Sequence, residues 1–216
     1  MDFQPSNPFC TRIVRPGAIR YRFAADRDPD LVVQGLLKRL RGARYHLLVG
    51  PHGSGKSTLV RELVPHLQRC FSKVREVQLY SDRLHAQRPP TPRGPQRWFR
   101  RAMHARQMHA RVVAEQTQAE PGSLLIIDGL EQLSWFAVQA MRWRAVRRGH
   151  AVLATSHRRH AGFETLLETT LSARQVVELT ESLIASLTES EQTRVRRELG
   201  RRSLGPQTNL RDLWFD

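Results

Sequence analysis

Cysteine is nearly missing from this 216-residue chain: Cys10 and Cys70 are all it has. Two thiols cannot build a disulfide framework or a zinc site, so a stapled secreted fold is excluded and a reducing compartment is expected, with both cysteines as ordinary packing residues. Long apolar runs are lacking as well. None approaches the roughly 20 residues of a membrane span, and the opening MDFQPSNPFCTRIVRPG has no basic stretch followed by an apolar one of the kind that marks export. The reading is a soluble, cytoplasmic protein. Acidic residues are scarce, 20 Asp+Glu against 35 Lys+Arg of which very few are Lys, and the formal net charge is +15. Such an excess favours a polyanion such as nucleic acid, whereas a coding bias toward Arg would leave the same charge solvated. With 40% hydrophobic and 7% aromatic residues, the chain can bury one sizeable core and a small appendage, not two full domains.

Residues 1–29 hold Pro5, Pro8, Pro16, Gly17 and Pro29 without sustained periodicity and are expected to form an extended arm. Asp30 is placed to cap a helix through LVVQGLLKRLRG, whose apolar residues recur at helical spacing up to Gly42. YHLLVG reads as a buried strand, Ser57 to Cys70 as a helix, VREVQLY as an alternating strand and the Pro-rich SDRLHAQRPPTPRGPQR as a loop. A helix is expected from about Trp98 to Gln118, followed by SLLIIDG, a continuous apolar strand of the kind buried in a parallel sheet. LSWFAVQAMRWRAVRRG reads as a helix, AVLATSH as a strand, ETLLETTL as a helix and RQVVELT as a strand. This alternation predicts an α/β fold over residues 30–180, a parallel sheet with helices on both faces. Residues 181–216 show helical periodicity without strands and are expected to form a small lid.

Between the first strand and the second helix lies GPHGSGKST, which fits G-x-x-x-x-G-K-[ST] with Gly50, Gly55, Lys56 and Ser57 in the fixed places. Glycines let successive backbone N–H groups turn inward around phosphates, and the helix N-terminus adds a favourable dipole. Lys56 is expected to reach the β- and γ-phosphates and the Ser57 hydroxyl to ligate Mg²⁺. Pro51, His52, Gly53, Ser54 and Thr58 complete the nucleotide-binding set, with Thr58 near the α-phosphate. A P-loop enzyme also needs a carboxylate near the magnesium at the end of an apolar strand, and Asp128 ends SLLIID. Hydrolysis further requires a group that polarises water. Glu131 is the nearest acid, and AVLATSH brings Thr155, Ser156 and His157 toward the same edge, where each could sense the γ-phosphate, orient water or cap the next segment.

These motifs, from Leu47 to Thr180, resemble the additional-strand class of P-loop ATPases. The resemblance implies a three-layer sandwich in which another strand lies between the phosphate-loop strand and the Asp128 strand. DGLEQ is similar to the D-G-L-D-E type of box in STAND and other AAA-like ATPases, with Gln132 where those have a second acid. Asn7 to Phe9 is similar to the segment that precedes the ATPase core in that class and approaches the base. QTNLRDL resembles the G-N-L-R-E-L stretch of AAA-like lids, with Thr208 replacing the glycine, and this implies that Arg211 contacts the γ-phosphate. No LSGGQ-like signature is present, which separates the chain from ABC transporter ATPases.

The basic residues gather in two stretches: Ser81 to Gln118 holds eight Arg against Asp82 and Glu115, and Arg142 to His160 holds six more and no acid. Such stripes suit DNA or RNA phosphates. Resemblance to AAA-like ATPases equally allows Arg142, Arg144, Arg147 or Arg148 to act as an arginine finger toward a second copy. Three functions are therefore in play: an ATP-hydrolysing switch or motor-like module using ATP and Mg²⁺, a nucleotide-dependent nucleic-acid binder with negligible turnover, and a small-molecule kinase. The last requires the Asp128 strand directly beside the phosphate-loop strand.

Overall fold

The computed structural model describes residues 8–9, 14, 17–23, 28–79, 95–202, 204–205 and 208–215, of which 95–102, 211 and 215 by backbone alone. Most of the expected arm, including Asn7 and Cys10, and the Pro-rich loop with Arg83, Arg88 and Arg93 lie outside the described residues. In chain order the elements are α1 (Pro29–Gly42), β1 (Tyr45–Val49), α2 (Lys56–Cys70), β2 (Val74–Gln78), α3 (Pro95–Thr117), β3 (Leu124–Asp128), a short 3-10 turn (Leu130–Gln132), α4 (Trp135–Arg148), β4 (Ala151–Ser156), β5 (Glu164–Glu168), α5 (Ala173–Ile184), α6 (Glu189–Arg201) and α7 (Leu210–Phe215). α3 starts at Pro95, earlier than periodicity alone predicts, because proline is tolerated in the first helical turn. None of the described helices is long and apolar enough to cross a membrane.

The chain divides into two compact units, one made of Pro29–Val49 and Leu63–Leu167, the other of Met1–Asp28, Gly50–Glu62 and Glu168–Asp216. The first carries the sheet, in the order β2-β3-β4-β1-β5. β1 pairs with β4, β4 with β3 and β3 with β2, all in parallel, with Val49 opposite Ser156 and Gln78 opposite Asp128. β4 therefore separates the Asp128 strand from β1, as the additional-strand resemblance implies, and the arrangement required of a small-molecule kinase is not the one found.

Period-2 alternation explains the layers. Leu47, Val49, Leu125, Ile127, Val152 and Ala154 share one face with Met108 and Val112 of α3 and with Val138 and Met141 of α4. The alternate residues, Leu48, Leu124, Ile126 and Leu153, are equally buried, as are Leu36 and Leu40 of α1 and Leu63 and Leu67 in the second half of α2. The second unit has its own apolar cluster: Leu171, Val176, Leu179 and Leu210, with Ile19, Leu199, Leu213 and Trp214 packed against it.

Two sequence expectations are overturned. ETLLETTL forms strand β5 and not a helix, and RQVVELT lies in helix α5 and not in a strand. β5 lies at the sheet edge with Leu166 buried at its centre, Thr165 and Leu167 half-buried beside it and Glu164 and Glu168 exposed at its ends, and Arg39 of α1 holds it. That guanidinium donates to the carbonyls of Thr165 and Leu166, each at 2.7 Å, and to the Glu164 carboxylate. In α5 a capping box decides the matter: Ser172 accepts from the Gln175 backbone N–H while the Gln175 side chain accepts from the Ser172 N–H. Val176, Leu179, Thr180 and Ile184 then recur on one buried helical face.

One polar pair is enclosed in the first unit. Gln116 donates its amide to the Met141 carbonyl at 2.9 Å and lies 3.2 Å from Nε2 of the fully buried His150. The amide nitrogen is fixed by the Met141 carbonyl, so it also donates to His150, which must present an unprotonated Nε2. Burial, reinforced by Arg44 and Arg148, pushes the His150 pKa down to about 4. The folded protein keeps this ring neutral while the unfolded chain protonates it near pH 6.5. Stability is therefore expected to fall as the pH drops from about 6.5 to about 4. Urea midpoints measured across that range will show a smaller decline in His150→Gln, which has no charge to acquire.

Candidate functional site

The phosphate loop starts at Gly50, directly after β1, and α2 begins at Lys56, so the loop runs into the N-terminus of a helix, whose dipole favours an anion. The first turn of that helix contains no acidic residue to compete with one. Gly53 and Gly55 adopt φ of 72° and 87°, the left-handed region that lets the chain fold back on itself. The loop is closely enclosed by other segments of its own unit. A side chain at Gly50 would run into Thr169, and one at Gly53 into Asn209 and the backbone nitrogen of Leu210. At Gly55 a Cβ would stand 3.1 Å from the Tyr21 ring.

Hydrogen bonds hold the loop in this shape. Ser54 Oγ and Thr169 Oγ1 are 2.6 Å apart, and both side chains are buried. Lys56 is buried, and its Nζ donates to the carbonyls of Gly50 and Pro51, each at 2.6 Å. Ser57 and Thr58 are half-buried and His52 is exposed. Tyr21 is anchored by its backbone N–H on Glu62 at 2.9 Å, and burial pushes its hydroxyl up to about 12, so it stays protonated. A lysine ammonium, a glycine-built turn and a helix N-terminus together fit a chain of phosphates.

In the sheet-bearing unit, Val49, Asp128 and Ser156 end their strands at the same edge. The Asp128 carboxylate accepts from Thr155 Oγ1 at 2.6 Å, and Thr155 in turn accepts from the Gly129 backbone N–H at 2.9 Å. Glu131 sits in the 3-10 turn beyond, with Oε1 2.9 Å from His157 Nε2. Its other oxygen, Oε2, is buried and has no hydrogen-bond partner among the described residues. Ser156 is buried, 3.1 Å from His160 Nε2, and accepts from the Arg158 N–H at 3.3 Å. Burial lowers the His160 pKa, with Arg158 adding to the effect and Glu131 opposing it.

The structure thus joins Glu131 to His157 and gives Asp128 a partner in Thr155. Arg211 lies in α7, but its side chain is outside the described residues. Of the Asn7 to Phe9 segment, Phe9 stacks on Trp214 with ring centroids 6.1 Å apart. Thr169, Asn209 and Tyr21, which enclose the loop, were not singled out by the sequence. Thr169 follows β5, which periodicity assigns to a helix; Asn209 stands in the QTNLRDL stretch, where the resemblance points to Arg211 instead, and Tyr21 stands in a segment with no motif of its own.

A phosphate loop between β1 and α2, an acid ending β3 and a strand inserted between the two define a P-loop NTPase of the additional-strand class. The NACHT domain family matches residues 44–201, and the chain belongs to that family of STAND-class P-loop NTPases. Among solved structures it is similar to RuvB of Thermotoga maritima, described as a Holliday junction branch migration motor: 16% identity over 87% of this chain and 67% of that one, TM-score 0.43. Two substituted forms of the same protein, each 16% identical, cover 86% and 72% of this chain with TM-scores of 0.44 and 0.41. The chain spans 48% to 67% of the length of these RuvB chains. No curated protein matches it.

Thr155→Val removes the hydroxyl that joins Asp128 to Gly129 and leaves both half-buried groups without it. We expect a loss of about 2 kcal/mol in urea unfolding, with Thr155→Ser retaining most of the wild-type stability.

Proposed function

We propose that this NACHT-family protein binds ATP with Mg²⁺, hydrolyses it slowly, and acts as a nucleotide-dependent switch. The observation that carries the reading is the enclosure of the phosphate loop by Thr169, Asn209 and Tyr21. In this reading a triphosphate entering the loop shifts these contacts and passes the adjustment to the C-terminal helices, which is how such proteins convert a γ-phosphate into a conformational signal.

In this reading Lys56 exchanges the Gly50 and Pro51 carbonyls for the β- and γ-phosphates, and the N–H groups from Gly53 to Thr58 cradle the chain of phosphates. Among the described residues no cluster of three or more His, Cys, Asp and Glu could hold a metal alone. Mg²⁺ binds through one or two protein groups plus phosphates and would supply neutralisation of the developing charge. Ser57 and Asp128 are the protein groups proposed for it, Thr155 fixing the Asp128 carboxylate. Glu131 is the proposed base: His157 holds Oε1, and Oε2 is left to take a proton from the attacking water. Ser156, bound to His160 and Arg158, shapes the turn that carries His157. Arg211 and residues 181–216 are assigned to sensing the γ-phosphate as a lid over a core of residues 30–180. The proposed use of ATP supports a cytoplasmic location. Replacement of the second acid by Gln132 supports slow rather than fast turnover.

Steady-state ATP turnover and binding of a fluorescent ATP analogue test the assignment. Lys56→Ala is expected to weaken nucleotide binding on the order of 100-fold through lost charge-assisted hydrogen bonds. Glu131→Gln is expected to keep affinity and slow turnover by about 100-fold. Unchanged affinity in Lys56→Ala would end this reading, and unchanged turnover in Glu131→Gln would remove Glu131 from it.

A further inference from the structure

α3 and α4 leave a shallow pocket of about 300 Å³, lined by Val113 and Thr117 from α3 and by Trp143, Arg144, Arg147 and Arg148 from α4. It lies toward the ends of both helices, near the start of β4, and so at the opposite end of α4 from the turn that holds Glu131. No acidic side chain lines it. Over the two helices nine arginines stand against one acid, Glu115, and that carboxylate is bound to Arg75 at 2.6 Å.

The pocket is ordered by its own contacts. Arg148 donates to the Thr117 carbonyl at 2.8 Å, and Arg144 lies 3.3 Å from a ring nitrogen of His109. Each guanidinium has five N–H donors in a planar fork, so these contacts position the group and leave donors for a ligand. Arg147 lies over the Trp143 ring, 4.3 Å from its centroid. Trp143 is 57% exposed on a helix whose inward residues Val138, Met141 and Ala145 are all buried, and Val146 beside it is 56% exposed. An indole covered on one face by a cation and otherwise open to solvent is a stacking platform.

We propose that this pocket binds single-stranded DNA, with one unpaired base stacked on Trp143 and the flanking phosphates bound by Arg144, Arg147 and Arg148. Stacking on an aromatic side chain accepts any base, and adjacent arginines supply the backbone contacts. A duplex keeps its bases paired and offers the indole no face. The only hydroxyl in the lining, Thr117 Oγ1, gives its proton to the Val113 carbonyl at 2.6 Å and has none to donate to a ribose 2′-hydroxyl, and stacking with phosphate contacts requires no such group. An acidic peptide would satisfy the arginines and leave the indole unused. The proposal does not depend on nucleotide hydrolysis.

The test is fluorescence anisotropy of a labelled single strand of about 16 nucleotides, titrated with the full chain at several salt concentrations, beside duplex DNA, RNA of the same sequence and polyglutamate. Binding of the single strand that declines with salt is expected. Trp143→Ala should weaken it about tenfold without changing the salt slope, and Trp143→Phe should restore most of the affinity. Arg147→Gln should reduce the slope by about 0.7. Trp143 is exposed, so these variants should fold, which circular dichroism and the thermal midpoint will establish. The proposal is overturned if the wild-type chain does not bind the single strand at low salt, or if folded Trp143→Ala binds like wild type. Duplex, RNA or polyglutamate binding as tightly as the single strand also overturns it.

Discussion

One hydroxyl group organises the edge of the sheet where the candidate catalytic residues stand. Thr155 gives its proton to the Asp128 carboxylate and accepts that of the Gly129 N–H, so the end of β4 fixes both the last residue of β3 and the turn that follows. The carbonyl of Asp128 is taken by the Leu79 N–H at 2.8 Å, which brings in the chain leaving β2. Gly129 must be glycine: its φ is 98°, and a Cβ would stand 2.8 Å from the Leu79 carbonyl. Three consecutive strands of the sheet are thereby locked at one aspartate. The position of Glu131, three residues on, is inherited from that lock, and His157, two residues beyond Thr155, is delivered to it by the same strand.

This lock explains why the inserted strand matters chemically. With β3 directly beside β1, no β4 side chain would stand between the carboxylate and the phosphate-loop strand. With β4 inserted, a polar strand end of the Thr-Ser-His kind is supplied to the acid that ends β3 and to the turn that follows it. The strand contributes one residue to holding an acid and another to pairing with a second acid, and between them the buried Ser156 closes the local turn.

Much of this was legible in the sequence, because the strongest signals are those that backbone chemistry enforces. The phosphate loop requires glycines and a lysine at fixed places, and Asp128 ends a run that only a buried strand can accommodate. The inserted strand came from resemblance, not from periodicity. What failed was the assignment of β5 and α5, and the two errors differ in kind. Five residues of ETLLE hold too little periodicity to separate a strand from a helical turn, and the deciding contact comes from Arg39, far away in the chain. For α5 the signal is present: Ser172 followed by Gln175 is a capping box, and the β-branched pair Val176 and Val177 opposes it with strand propensity. The residues enclosing the phosphate loop were illegible because their roles arise from tertiary approach. The arginine excess was visible, but not its internal use: Arg39, Arg44 and Arg148 donate to backbone carbonyls at strand and helix ends, where a lysine could not reach several acceptors in one plane.

The crowding around Gly50 and Gly53 changes how descent within such a lineage should be read. Any residue larger than glycine at those places collides with Thr169 or with Asn209 and Leu210, whether or not a nucleotide is ever bound. Selection for folding alone would preserve the glycine pattern of the loop. Lys56 is tied to the same fold by its bonds to the Gly50 and Pro51 carbonyls. A descendant that abandoned its nucleotide would keep these residues and drift first at Ser57, so the persistence of that hydroxyl, and not of the glycine spacing, is the record of continued nucleotide use.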